Sequence, residues 1–118
     1  MSHDAYRRAA SVNPRDAEYR AFAEATGLLL KAGEAGRNDL KSLIDAVHLN
    51  RQLWGALAGD CADARNALPQ QTRAQIIALA RFVSSYSSDV MRKGESLDPL
   101  IEINRLIMEG LAARAPAA

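Results

Sequence analysis

Apolar residues return along most of this chain at intervals of three and four, the repeat that gathers side chains on one face of an α-helix. The clearest run is Asp39 to Cys61, DLKSLIDAVHLNRQLWGALAGDC, where Leu43, Ile44, Val47, Trp54, Leu57, Ala58 and Cys61 form one stripe. Asn50 and Arg51 fall inside that stripe, at positions where a plain core helix carries aliphatics. Trp54, the only tryptophan, follows one turn later. A seam of this kind predicts a helix that packs and also offers recognition chemistry.

The remaining elements follow from the same repeat and its punctuation. Residues 2–11 suit a short helix with Tyr6, Ala9 and Ala10 as a weak apolar side. Asn13-Pro14 signals a start, because asparagine caps and proline fits the first helical position. From there to about Ala32, Tyr19, Phe22, Ala23, Thr26, Leu29 and Leu30 share a face, with Thr26 its one polar member. Two glycines in Gly33-Glu34-Ala35-Gly36 predict a stop. Asn38 or Asp39 caps the next helix, to about Asp60, with Gly55 and Gly59 implying fraying or close helix contact near its end. Pro69 opens a helix whose broad face is Ile76, Leu79, Ala80, Val83, Tyr86, Val90 and Met91, closed by Lys93-Gly94. Asp98-Pro99 starts a last helix, to about Ala112, with Leu100, Ile103, Ile107 and Leu111 on one side. No segment alternates with a period of two. The expected fold is all-α: a small single-domain bundle of four to five helices with short loops, over residues 1–113. The tail 114–118 is expected to be disordered.

One internal echo stands out. LNRQLWGALA (49–58) aligns without gaps to INRLIMEGLA (103–112), pairing Asn50 with Asn104 and Arg51 with Arg105. If the echo is meaningful, two Asn-Arg helices frame one shared site. Two readings of these residues stand side by side. In the structural one, buried asparagines satisfy polar groups while the arginines reach solvent. In the functional one, Asn50, Arg51, Trp54, Asn104 and Arg105 hold a partner helix, for which arginine and tryptophan are favoured anchors.

Composition narrows the picture further. At 118 residues there is room for one modest core, and a net charge of +1 gives no whole-molecule pull toward nucleic acid. A single cysteine, Cys61, excludes an internal disulfide and fits a reducing compartment. The opening MSHDAYRR lacks the apolar stretch of a secretory signal, and no run approaches the roughly 18 apolar residues that span a bilayer. A cytoplasmic protein without membrane insertion is the expectation. His3, His48 and Cys61 are too scattered for metal ligation, and no phosphate loop, nucleophile elbow or HExxH is present. Neither catalysis nor a cofactor is expected. Residues 64–94 hold five cations against the single acid Asp89. Arg73, Arg81, Arg92 and Lys93 are the candidate contacts should the partner be a nucleic acid, but no obvious motif of exposed stacking aromatics accompanies them, which favours a solvated basic face.

Taken in order, the residues resemble a known family. They are Ala5-Tyr6 with Ala9-Ala10, Pro14-Arg15-Asp16 with Glu18-Tyr19, Asn50 to Trp54, Leu68-Pro69, Arg73 to Ile77, and Val90-Met91. The most specific block is Asp98-Pro99-Leu100-Ile101-Glu102-Ile103-Asn104-Arg105 followed by Ile107 to Leu111. The chain resembles the flagellar biosynthesis regulator FlaF along essentially its whole length. That resemblance implies a non-enzymatic role in flagellin production beside a second regulator, FlbT, which restrains flagellin translation. It also implies a chaperone-like contact with flagellin, whose ends are amphipathic helices before assembly. The alternative implied is post-transcriptional action on flagellin messenger RNA, directly or through FlbT.

Overall fold

The computed structural model describes residues 14–113. They form α1 (Pro14–Ala35), a 3-10 turn (Gly36–Asn38), α2 (Leu40–Ala62), α3 (Gln70–Lys93) and α4 (Asp98–Ala113). No strand occurs among the described residues. The expected leader helix over 2–11 and the tail 114–118 lie outside the described residues.

Local chemistry sets most of the boundaries. Asp39 caps α2, its carboxylate accepting from the Ser42 N–H at 3.1 Å and from the Ser42 hydroxyl at 2.6 Å. Those two bonds hold the Asp39 carboxyl below its usual range. Gly94 ends α3 in the left-handed region at φ 70°, its N–H on the Val90 carbonyl at 3.1 Å. At the start of α4 the Leu97 carbonyl accepts from the Leu100 and Ile101 N–H groups at 3.0 and 3.1 Å, and Ser96 Oγ accepts from the Asp98 N–H at 3.1 Å.

Other boundaries depart from expectation. α1 continues through Gly33 to Ala35, because the turn that needs a glycine is at Gly36, φ 62°. α2 runs through Gly55 and Gly59 to Ala62. Both glycines face open space, so neither close contact nor early fraying accounts for them. Arg73, reaching back from α3, donates to the carbonyls of Cys61 and Asp63 at 3.4 Å each and covers the end of α2.

The helices pack in the spatial order α3–α2–α1–α4. α2 lies against both α1 and α3, and α4 lies against α1. α3 and α4 touch only slightly, so the bundle is open along one side. The core holds Phe22, Leu29, Val47, Trp54, Val83, Val90 and Leu100, with Phe22 set edge-on to Trp54 at 5.4 Å. Ile44, Leu30, Tyr19 and Met91, assigned to apolar faces by spacing, are exposed. They stand at the margins of stripes wider than the neighbouring helix covers. Conversely Ser87, Ile101 and Leu97 are buried, Leu97 from the turn before α4.

Candidate functional site

The two echoed asparagines meet. Asn104 Nδ2 on α4 donates to Asn50 Oδ1 on α2 at 2.7 Å and to Thr26 Oγ1 on α1 at 3.1 Å. Its Oδ1 accepts from Trp54 Nε1 at 2.8 Å. Thr26 in turn donates to the Phe22 carbonyl at 2.7 Å. Asn50 and Asn104 are 0% exposed and Trp54 is 1% exposed. These bonds join three helices in an apolar interior, where an unmet polar group is costly. Asn50 Nδ2 has no acceptor among the described residues.

The arginines of the two pairs go separate ways. Arg51 is half-buried, and its Nη2 donates to the Ser84 carbonyl at 2.6 Å and to Ser88 Oγ at 2.7 Å, clamping α2 to α3. Arg105 is exposed on α4. The sequence-derived set of Asn50, Arg51, Trp54, Asn104 and Arg105 is therefore divided between the interior, a helix–helix clamp and the surface. A partner docking on the closed bundle meets only Arg105 fully. The basic set is divided as well. Arg73 is committed to α2, and Arg92 and Lys93 both approach Asp89, at 3.4 and 3.8 Å. Arg81 is exposed beside Phe82, which is 44% exposed and stacks on Tyr86 at 5.4 Å. Tyr86 donates to the Ser96 carbonyl at 2.6 Å. Burial first, then the carboxylates Glu95, Asp98 and Asp89, raise its phenol pKa.

The open side supplies what spacing did not reveal. Where α3 and α4 diverge, a groove of about 830 Å³ runs between them and the end of α2. Leu57, Cys61, Leu68, Ile76, Leu79 and Leu111 give it an apolar lining, and Leu106, 61% exposed, stands at its edge. Glu18, Asp60 and Asp63 also line it, with Arg65 bound to Asp63 at 2.9 Å. The volume and apolar character are those of a ligand or peptide-binding site. A smaller cavity of about 400 Å³ lies at the opposite end, under the turn joining α3 and α4. Leu111 belongs to the apolar face the spacing marks, whereas Leu106, three residues beyond Ile103, lies off it. Only the divergence of α3 from α4 turns that stretch into a groove wall.

No group of three or more metal-ligating side chains occurs among the described residues, and none of their helices is long and apolar enough to cross a membrane. Fold and site together define a small all-helical domain with a polar seam inside and an apolar groove outside. The chain belongs to the FlaF family: the family model described as flagellar protein FlaF matches residues 2–111. No curated protein and no solved structure matches it.

Proposed function

We propose that this chain acts in flagellum biogenesis as a regulator required for flagellin synthesis or secretion, binding unassembled flagellin in a chaperone-like manner in the cytoplasm and working with or against FlbT. The observation that carries the reading is the α2–α3–α4 groove, an apolar trough on a flagellar-family domain. An amphipathic helix laid there would cover Leu79, Leu106 and Leu111 and leave its polar side in water. The internal position of Trp54 and Asn104 moves the expected contact from the Asn-Arg pairs to these aliphatics. A second reading, contact with flagellin messenger RNA, draws on exposed Arg81 beside the Phe82–Tyr86 stack, since aromatic faces accept bases.

Titration calorimetry of the chain with unassembled flagellin tests the first reading. Micromolar or tighter binding is expected, weakened at least about tenfold by Leu106→Asp, because a charge placed in an apolar contact costs well over 1 kcal/mol. Binding indifferent to Leu106→Asp and Leu79→Asp would discard the groove. No binding at all would move the role to FlbT or to messenger RNA, the latter marked by a steep loss of affinity with salt.

A further inference from the structure

α3 is patterned on two sides. Ile76, Ala80, Val83, Ser87 and Val90 recur at steps of four and three, and all are buried, against α2 as the main neighbour. A second line, Thr72, Gln75, Leu79, Phe82 and Tyr86, recurs at steps of three and four on the adjoining side. Its Thr72, Leu79 and Tyr86 are half-buried, while Gln75 and Phe82 are exposed. A 3-4 repeat of this kind is the one with which a helix receives another helix, crossing at about 20°. Thr72, Gln75 and Leu79 line the groove. Phe82 and Tyr86 carry the line past it to their own stack, and Tyr86 is bound to the Ser96 carbonyl at the turn into α4. α4 itself touches α3 only slightly. From Thr72 to Tyr86 the line runs about 21 Å, four turns of a helix laid along it.

The two ends of the line differ in sign. The groove end holds Glu18, Asp60 and Asp63 against Arg65. The aromatic end holds Arg81, exposed beside Phe82, and Arg105, exposed beside Leu106, against Glu102. An acidic trough repels phosphate and draws cations, so charge favours a peptide over a nucleic acid strand.

We propose that the line from Thr72 to Tyr86 receives one amphipathic helix of about four turns, with its basic end over Asp60 and Asp63 and its acidic end by Arg81 and Arg105. That this helix is flagellin's rests on the proposed function; the line and its polarity do not. Acids favour the first turn of a helix and cations the last. A helix charged in that way lies antiparallel to α3, its N-terminus at Phe82. The site thus selects by the order of charges along a partner as well as by its apolar face.

The probe is a synthetic amphipathic peptide of about 18 residues, long enough to hold a helix. It carries leucines at 3-4 spacing, glutamates in its N-terminal half, lysines in its C-terminal half and a nitroxide at the lysine end. Added to the full chain, it should broaden the amide signals of 60–66 more than those of 81–86 and 102–105. Phe82→Asp should weaken its binding about tenfold, by placing a charge in an apolar contact. Asp60→Lys should weaken it about threefold, the smaller loss expected of exposed charges. Ile44→Asp, at an equally exposed site on α2, should change it less than about twofold. Unchanged unfolding midpoints in the three variants separate these losses from misfolding.

No peptide binding, or broadening strongest at 81–86, overturns the proposal. Binding that survives Phe82→Asp overturns it as well. Oligouridine bound at Phe82 and Tyr86 in place of the peptide assigns the line to nucleic acid and has the same force. Flagellin bound by a chain that ignores the peptide sinks this inference alone. Peptide bound in the stated direction with no flagellin binding sinks the proposed function alone.

Discussion

The polar seam and the groove share α2 and α4, yet they use opposite chemistry. In the seam, Thr26, Asn50, Trp54 and Asn104 bring hydrogen-bonding groups from three helices into a buried interior and match nearly all of them. In the groove, Leu57, Ile76, Leu79 and Leu111 present plain hydrocarbon where two helices part. Of the residues that read as recognition chemistry, Asn50, Trp54 and Asn104 serve the interior and Arg51 a helix–helix clamp, while unremarkable aliphatics line the surface groove. Polar side chains in a core fix which helices pair and in what register, because a slipped pairing leaves them unmet. Leucines carry no such instruction, which suits the groove to the partner helix proposed for it.

That contrast predicts a separation of stability from binding. Trp54→Ala should be the most damaging change, lowering unfolding free energy by about 4 kcal/mol through cavity formation and loss of the bond to Asn104. Urea denaturation measures it, and a loss under 1 kcal/mol would mean the seam is not the centre of the fold. Asn104→Ala should cost about 3 kcal/mol, because Trp54 Nε1 and the polar groups of Asn50 and Thr26 lose their shared partner inside the bundle. Arg51→Ala should cost about 1 kcal/mol, releasing two bonds at a half-buried site between α2 and α3. Leu106→Asp should shift unfolding by under about 0.5 kcal/mol, as expected of an exposed position, while still weakening a groove-bound helix. A large stability loss there would erase the distinction between the two regions.

The smallest effect lies outside both regions. Asp39 has a folded pKa held below the ordinary aspartate value of 3.8 by the Ser42 bonds. Its contribution to the start of α2 is therefore complete above that value and lost as pH falls through the lower folded value. Asp39→Asn should remove this acid sensitivity while retaining a cap. Helicity followed from pH 5 to pH 2 checks it. The four seam side chains do not titrate in that range, so the seam itself should be indifferent.

Much of the fold was legible because its signals are local. Asp39, Pro69 and Gly94 act through their own backbone or the next turn, and the helices begin or end beside them. The Asn50–Asn104 echo also pointed correctly to a shared location, since two asparagines on apolar stripes share the need for an interior partner. Their direction was not legible. Whether an asparagine faces a neighbouring helix or a bound one depends on how helices distant in sequence pack. The exposure of Ile44 and Met91 and the burial of Ser87 have the same origin: a stripe shows which side of a helix is apolar, not how wide its neighbour is. The groove was least legible, because it arises from an angle between α3 and α4 that no single residue encodes.

One absence from the seam bears on how wide the groove can be. Thr26, Asn50, Trp54 and Asn104 come from α1, α2 and α4, and α3 supplies none of them. α3 is held through apolar packing, the Arg51 clamp on Ser84 and Ser88, and Arg73 at the end of α2. The groove's outer wall is thus a lever, with glycine at one end of it and the short 63–69 connection at the other. An occupant bulkier than the trough would meet the Arg51 clamp before the bonds of Asn104. If a partner helix enters the groove as proposed, Arg51→Lys, with a shorter reach and a single point of donation, should loosen that wall while leaving the three-helix frame intact.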